Sequence, residues 1–334
     1  MPLLGVERST PQIREAFAIL CRESLAPPED DQVPRVSRLN ADGTPFQFGL
    51  TLGSTAPLQF LSEPTRPSAS NVERLQAARG RIDALSSLFG IGDVADVHAW
   101  LDRAAPVDDP DLAADDAGPV WLGAAFTPSK GPTLKVYVNA KWGRPPDRWT
   151  RIAMLADYVG AAAEWRTLRP LLHDALQPLG VALILSADGP PEGRIYFRGP
   201  DMRFEDYESL AAACGCGAAC AHLPALKMKL LADDAAFATR SAVCSFGLQG
   251  GTGPAYKFEV CAHCAFASDA VAQDRCHRWL IDGGFDPETY LRLVDLLLPG
   301  APSTRQTRLH SFVGIGERRG GAYPTLYFNP AAAL

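Results

Sequence analysis

The sequence predicts an α/β protein of the α+β type: a closed ten-stranded antiparallel β-barrel inside an outer ring of helices. Three observations predict it. Strand patterns come in five consecutive pairs, helical patterns separate the pairs, and the second strands recur at a nearly constant interval. Consecutive hairpins pair antiparallel, and ten such strands can close into one barrel that leaves no edge exposed.

Each of the five strand pairs is joined by a short turn that contains Gly or Pro, which is typical of hairpins. The predicted pairs cover 45–53 with 57–65, 118–128 with 133–140, 181–188 with 193–199, 241–249 with 255–262, and 308–316 with 324–330. From the second pair onward the second strands recur at intervals of roughly 60 to 70 residues. This regularity predicts a structural repeat.

Helical patterns fill the gaps between the strand pairs. An N-terminal helix is predicted at about 10–25, and two helical stretches follow each of the first four pairs. The α-β-β-α order then repeats over about 40–330. One barrel domain is therefore predicted for residues 1–334, with 26–34 and 107–117 as surface loops.

The composition is that of an ordinary globular chain. The 334 residues are 47% hydrophobic and 21% charged, and the formal net charge is −6. No cluster of Lys and Arg stands out, so nucleic acid is not an expected partner. No stretch approaches the apolar length of a membrane span, and the first residues lack a signal-peptide core. No membrane association and a cytoplasmic location are therefore expected.

Most of the cysteines lie in two short segments. CGCGAAC and CAHC have spacings related to those of metal ligands, and His222 and His263 lie close by in sequence. In a cytoplasmic chain these cysteines should stay reduced. Two interpretations stay open: small half-buried thiols, or a structural zinc site drawn from Cys214, Cys216, Cys220, Cys261 and Cys264.

The second strands carry polar and aromatic side chains on one face and apolar side chains on the other. In TLKVYVNA, Lys135, Tyr137 and Asn139 alternate with leucine and valine. For one strand alone, the simplest interpretation is a polar face in solvent. The repeat favours a different one. Helices outside a barrel need the apolar faces, which leaves the polar faces for the lumen.

The other hairpins place similar side chains on the predicted lumen face. These are Gln59, Arg194, Tyr196, Lys257, Glu259 and Tyr327. Buried cations are costly unless an anion pairs with them, and a diphosphate offers several oxygens to charged donors. Tyrosine ring faces nearby suit a cation. An anion beside a developing carbocation describes an allylic diphosphate, which is the predicted ligand.

These strand signatures, with the hairpin GTPFQFGLTLG…LQFLSEPT, resemble the ABBA-type aromatic prenyltransferases, and within them the dimethylallyltryptophan synthase group. The resemblance covers about 40–330 and implies the barrel known as the PT barrel. It implies transfer of a prenyl group, dimethylallyl or geranyl, from an allylic diphosphate to an indole or tryptophan-like acceptor. The chain length approaches that of the cyanobactin peptide prenyltransferases, which share the fold, so a peptide acceptor is the alternative.

The resemblance also assigns roles to residues. Glu63, in the pair Glu63–Pro64, would contact the indole N–H and serve as the catalytic base. The resemblance implies that the diphosphate is bound by Arg74, Lys135, Arg194 and Lys257, with Arg66 as a second choice after Arg74. It implies that the allyl cation is shielded by Tyr137, Tyr196 and Tyr327. Gln59, Asn139 and Glu259 would line the lumen, and Glu259 stands where the family usually has a tyrosine.

No aspartate-rich metal motif is seen, as the resemblance implies, so no cofactor is expected to be required; Mg²⁺ and a structural zinc stay open. Two other classes of protein also stay open. A non-catalytic barrel that binds a phosphorylated hydrophobic ligand would not turn over dimethylallyl diphosphate. An interaction protein organised by cysteine-bound zinc would lose its fold with a chelator.

Overall fold

The computed structural model of the chain describes residues 9–25, 37, 39–40, 43–53, 58–114, 118–128, 130–231, 241–249, 255–297, 309–318 and 321–329. Within these ranges the strands are β1 (Phe46–Thr51), β2 (Leu58–Ser62), β3 (Val120–Thr127), β4 (Lys130–Asn139), β5 (Gln177–Ser186), β6 (Glu192–Arg198), β7 (Ala242–Leu248), β8 (Ala255–Cys261), β9 (His310–Arg318) and β10 (Gly321–Phe328).

The helices, in chain order, are α1 (Thr10–Cys21), α2 (Asn71–Phe89), α3 (Ala95–Ala104), α4 (Pro110–Ala114), α5 (Pro145–Tyr158), α6 (Ala162–Leu168), α7 (Phe204–Ala213), α8 (Gly217–Leu230), α9 (Ala262–Ala265), α10 (Asp269–Asp282) and α11 (Glu288–Leu297). A short 3-10 helix covers Arg169–Leu171. Among the described helices, none combines the length and the apolar character needed to cross a membrane.

The ten strands form one closed antiparallel barrel. Each strand pairs with its neighbours in sequence, and β1 closes the circle against β10, with Leu50 opposite Leu326. Because neighbours are antiparallel, all even-numbered strands run the same way and end at one mouth of the barrel. We call it the Glu63 mouth, because Glu63 follows β2 there. The predicted fold class, a ten-stranded antiparallel barrel surrounded by helices, is confirmed.

The apolar faces of the strands point outward to the helices. Phe46, Phe60 and Phe126 are almost fully buried, and Phe17 of α1 packs edge-on against Phe46 with ring centroids 5.1 Å apart. Burying a side chain of this size contributes roughly 1.5–3 kcal/mol. The helices take up these faces, so the polar faces are left for the lumen, as the strand pattern predicts.

Helix α2 is bounded by strong end signals. The Ser70 side chain accepts from the Glu73 N–H, and the Glu73 carboxylate accepts from the Ser70 N–H, which together form a capping box. The helix ends at Gly90, whose φ of 68° lies in the left-handed region that favours glycine. This fixed start places Arg74 in the first turn of α2, close behind the end of β2.

Several predicted boundaries are wrong in detail. The stretch 107–117, predicted as a loop, contains α4, because Asp109 caps its N-terminus and Leu112 is buried. A helical stretch is predicted from Leu223 onward, but helix α8 begins earlier, at Gly217, because alanines precede Pro224. Helix α1 ends at Cys21 rather than near 25. The predicted loop 26–34 lies outside the described residues.

Candidate active site

A chain of hydrogen bonds crosses the lumen and joins four strands. Lys135 Nζ on β4 donates to Gln59 Oε1 on β2 at 2.7 Å. Gln59 in turn hydrogen-bonds Tyr327 on β10. The Tyr327 hydroxyl accepts from Lys257 Nζ on β8 at 2.6 Å. The structure therefore brings these four predicted lumen residues together.

Lys257 has a carboxylate partner inside the barrel. Its Nζ lies 2.7 Å from Oε1 of Glu259, and each side chain is only 8% exposed. Thr325 Oγ1 lies 3.5 Å from the same carboxylate oxygen. The sequence pattern predicts lumen cations whose charge is balanced by a bound anion. Lys257 differs from this prediction, because the Glu259 carboxylate already balances its charge.

Arg194 lies on β6 and is held by a side chain of the adjacent strand β7. Its Nη1 donates to Ser245 Oγ of β7 at 3.0 Å. Burial opposes the charge of this guanidinium, but the surrounding phenol oxygens, led by Tyr323, and the Glu259 carboxylate outweigh burial, so the pKa of Arg194 lies above its usual value. Arg194 is therefore a permanent cation in the lumen, with a neutral hydroxyl as its side-chain acceptor on β7.

The three predicted tyrosines all lie in the lumen. The rings of Tyr137 and Tyr196 are 6.0 Å apart between centroids, and Lys257 Nζ is 4.9 Å from the ring centroid of Tyr327. Burial raises the pKa of each phenol above its usual value. All three are therefore neutral at pH 7, and their ring faces present the negative potential that attracts a cation.

Glycines on the lumen face make room for these long side chains. A Cβ at Gly49 would lie 2.4 Å from the Gln59 side chain, and one at Gly316 would lie 2.5 Å from the Tyr323 ring. Real Cβ atoms do not approach other atoms so closely. Glycines opposite Gln59 and Tyr323 therefore leave the space in the lumen that these larger side chains occupy.

Glu63 is held at its mouth of the barrel by charge and by hydrogen bonding. The residue is only 1% exposed. Its Oε1 accepts from the Ser37 hydroxyl, and its Oε2 lies 3.2 Å from Nη1 of Arg74. Its backbone N–H donates to the Pro45 carbonyl at 2.9 Å, which continues the β1–β2 pairing. The carboxylate is therefore fixed in direction rather than exposed on a loop.

Arg74 lies beside Glu63 instead of in the hydrogen-bonded chain of Lys135 and Lys257. Besides its ion pair, its Nε donates to the Ala69 carbonyl at 3.1 Å and its Nη2 to the Pro67 carbonyl at 2.6 Å. The diphosphate contact that the resemblance implies for Arg74 stays a prediction.

Two further predicted residues lie outside the lumen chain. Asn139 Nδ2 donates to the Gly118 carbonyl at 3.0 Å and its Oδ1 accepts from the Lys141 N–H, so its side chain braces the rim of the Glu63 mouth. Arg66 lies within electrostatic range of Glu23 and Glu73, near α1 and the start of α2. The diphosphate contact that the resemblance implies for Arg66 stays a prediction.

Three residues of the site were missed by sequence reasoning. Tyr323 lies four residues before Tyr327 and shares its face, but the final strand was predicted to start at residue 324 and begins at Gly321. Ser245 shares a face with Gly247 on β7, and alternation could have shown it. Ser37 precedes the predicted barrel, and no pattern in the sequence marks it.

All eight cysteines are free thiols. Cys261, His263 and Cys264 lie close together, with potential ligand atoms within 4.8 Å of one another. Cys214, Cys216 and Cys220 belong to no such cluster within the described part of the chain. The five cysteines considered for zinc therefore do not form one site there.

No protein-family model matches the chain, and no curated protein matches it. Solved structures do match. A 6-dimethylallyltryptophan synthase from Micromonospora olivasterospora, solved with DMASPP and Trp, aligns with a TM-score of 0.83 at 20% identity, over 99% of this chain and 94% of that one. A 5-dimethylallyltryptophan synthase from Streptomyces coelicolor aligns with a TM-score of 0.80 at 16% identity, over 98% and 93%.

A third solved structure, AnaPT from Neosartorya fischeri, aligns with a TM-score of 0.68 at 14% identity, over 95% of this chain and 85% of that one. The chain therefore has the fold of the dimethylallyltryptophan synthases, along almost its whole length. The predicted resemblance is confirmed at the level of the fold.

Proposed function

We propose that the protein is an aromatic prenyltransferase that transfers a prenyl group, dimethylallyl first of all, from an allylic diphosphate to an indole or tryptophan-like acceptor. One observation carries the proposal: a closed barrel holds three cations and three neutral tyrosines, with an oriented carboxylate at one mouth. Two neighbours in fold support it, since one was solved with DMASPP and Trp and PriB with L-tryptophan and dimethylallyl thiolodiphosphate.

The first step breaks the carbon–oxygen bond of the donor, and the electron pair leaves with the diphosphate oxygen. Lys135, Arg194 and Lys257 stabilise the charge that develops there, because they are fixed donors in a site shielded from water. Two of them, Lys135 and Arg194, are held by the neutral acceptors Gln59 and Ser245. The free-energy cost of exchanging these neutral acceptors for phosphate oxygens is small, because each cation keeps a hydrogen-bond acceptor.

The second step depends on the allyl cation surviving long enough to react. Tyr137, Tyr196 and Tyr327 surround it with ring faces that attract positive charge and exclude water. Since burial raises the pKa of these phenols, they stay neutral and do not trap the cation as phenolates. Tyr323 adds a fourth ring near Arg194.

In the third step a ring carbon of the acceptor forms a bond to the allyl carbon, and a proton leaves the ring. Glu63 accepts a hydrogen bond from the indole N–H as positive charge develops on the ring, and its carboxylate takes up the proton that leaves the ring. Arg74 and Ser37 orient its carboxylate for this task. The acceptor therefore enters through the Glu63 mouth.

We further propose that no metal ion is required, because three side-chain cations already supply positive charge to the diphosphate; turnover should persist in a chelator, and Mg²⁺ would only modulate it. We place the protein in the cytoplasm, in keeping with its eight free thiols.

Mass spectrometry tests the proposed function. Tryptophan, simple indoles and short peptides are each incubated with dimethylallyl, geranyl or farnesyl diphosphate and the purified protein. We expect tryptophan or an indole to gain the mass of one dimethylallyl group. A mass increase on peptides alone would show that the acceptor is a peptide side chain instead. Binding of the thiolodiphosphate analogue with no product from any pair would instead establish a non-catalytic barrel.

A further inference from the structure

Cys261, His263 and Cys264 form a compact cluster on the rim of the barrel, apart from the lumen network. The potential ligand atoms of all three lie within 4.8 Å of one another. The Cys261 sulfur is 2.8 Å from Nδ1 of His263. Cys261 ends β8 and is nearly buried, whereas His263 and Cys264 are exposed on α9.

The local backbone explains why the three side chains converge. Cys261 is the extended N-cap of α9, with φ −72° and ψ 117°, and the chain turns into the helix directly after it. The C-x-x-C spacing then brings Cys264 back over Cys261 within one turn. His263 points its ring at the same sulfur. A four-residue segment therefore presents two sulfurs and one imidazole to a common point.

Two sulfurs and an imidazole are the donor set that zinc prefers, and C-x-x-C is a common spacing of zinc ligands. Tetrahedral ligands at ordinary Zn–S and Zn–N bond lengths lie roughly 3.5–3.8 Å apart. Ligand atoms already within 4.8 Å can reach that spacing by small side-chain rotations.

A redox-active dithiol is the other common use of C-x-x-C, and it depends on a thiol with a lowered pKa. Here an imidazole joins the two sulfurs at one point, which is an arrangement of metal ligands rather than of a plain dithiol. The cluster geometry therefore favours a metal site.

We propose that Cys261, His263 and Cys264 bind a zinc ion on the rim of the Glu63 mouth, with the fourth coordination position open. Because β2 and β8 both end at that mouth, the ion lies at the same end of the barrel as Glu63. Two thiolates neutralise the ion, so the loaded site adds no net charge beside Arg198, which acts on Cys261 electrostatically. The open position is available to water or to a ligand atom that arrives at the mouth.

Metal binding by the purified, reduced full-length chain tests this site directly. Zn²⁺ content after removal of excess metal is measured by elemental analysis, and affinity by competition with a chromogenic chelator. Co²⁺ replaces Zn²⁺ in a parallel sample, because cobalt bound to thiolates shows a charge-transfer absorption band. We expect one zinc per chain and a thiolate–cobalt band in the unmodified protein.

Two variants and a control locate the ion. Cys264→Ser and His263→Ala change exposed side chains, so folding should persist, and each should weaken zinc binding by about tenfold to a hundredfold or more. Cys220→Ser removes a half-buried thiol that lies outside the cluster and should leave affinity unchanged. Equal affinity of the unmodified protein and Cys264→Ser, absence of the cobalt band, or loss of metal in Cys220→Ser would each overturn the assignment. These experiments measure metal binding and not prenyl transfer, so their result is independent of the proposed function.

Discussion

Replacing Glu259 by glutamine should tighten binding of the donor diphosphate, although it removes an ion pair. The Glu259 carboxylate lies 2.7 Å from Lys257 Nζ, inside the proposed diphosphate site, and its charge also acts on Arg194 and on the lumen tyrosines. A bound diphosphate would therefore be repelled by a carboxylate that shares its cations. Glutamine keeps the shape and the hydrogen bonding but removes this repulsion.

The geometry of Lys257 sets the size of the effect. A phosphate oxygen bound to a second N–H of the same ammonium would lie about 4.5 Å from the carboxylate oxygen, given a tetrahedral nitrogen and ordinary charge-assisted hydrogen bonds. At an effective dielectric constant of about 20, two unit charges at that distance repel by roughly 3–4 kcal/mol. Side-chain and solvent relaxation reduce the net gain, so we expect tenfold to hundredfold tighter binding, about 1.4–2.7 kcal/mol.

Calorimetric titration with dimethylallyl thiolodiphosphate, which does not turn over, measures this affinity. Glu288→Gln is the matched control, because it makes the same charge change in an exposed ion pair with Arg292 on α11. Without ligand, Glu259→Gln should be less stable than the unmodified protein, since Lys257 loses its partner; bound analogue should restore that loss. Unchanged or weaker affinity in Glu259→Gln would show that the diphosphate does not bind at Lys257.

Four further substitutions test other parts of the structure. Glu63→Gln should fold and bind donor normally but lose about 10²–10⁴ in turnover with an indole acceptor, measured by product formation; full turnover would remove the base role. Lys135→Ala and Arg194→Ala should each weaken donor binding by roughly 2–4 kcal/mol in the same titration, with little change in unfolding temperature. Asp269→Ala should lower the free energy of unfolding by roughly 3–5 kcal/mol in urea, because Asp269 accepts from the backbone and ring of His310 in a fully buried site; a loss below about 1 kcal/mol would contradict this.

The barrel could be predicted from the sequence because its signal is repeated. In the strand around Lys135, alternation fixes which face each side chain occupies, and the same pattern recurs around Arg194, Lys257 and Tyr327. One strand alone is ambiguous between a solvent-facing and a lumen-facing polar side. Five hairpins separated by helices leave one consistent arrangement, since the apolar faces must meet the helices.

The partners of the lumen side chains could not be predicted in the same way. The bond between Lys135 and Gln59 joins residues 76 apart in sequence, and the one between Lys257 and Tyr327 joins residues 70 apart. Such contacts depend on barrel closure, register and strand tilt, which alternation does not determine. The Glu63–Arg74 ion pair depends further on where α2 begins, which the Ser70 capping box decides.

The paired state of the lumen explains how a barrel can keep three cations without a ligand. Lys135 bonds to the neutral oxygen of Gln59, Arg194 to the hydroxyl of Ser245, and Lys257 to the carboxylate of Glu259. Each cation is therefore satisfied before donor arrives, which limits the cost of burial. In the proposed function, a diphosphate would replace the two neutral acceptors and would approach the Glu259 carboxylate across their shared ammonium group. We therefore expect repulsion from Glu259 to limit donor affinity and to favour release of the product diphosphate.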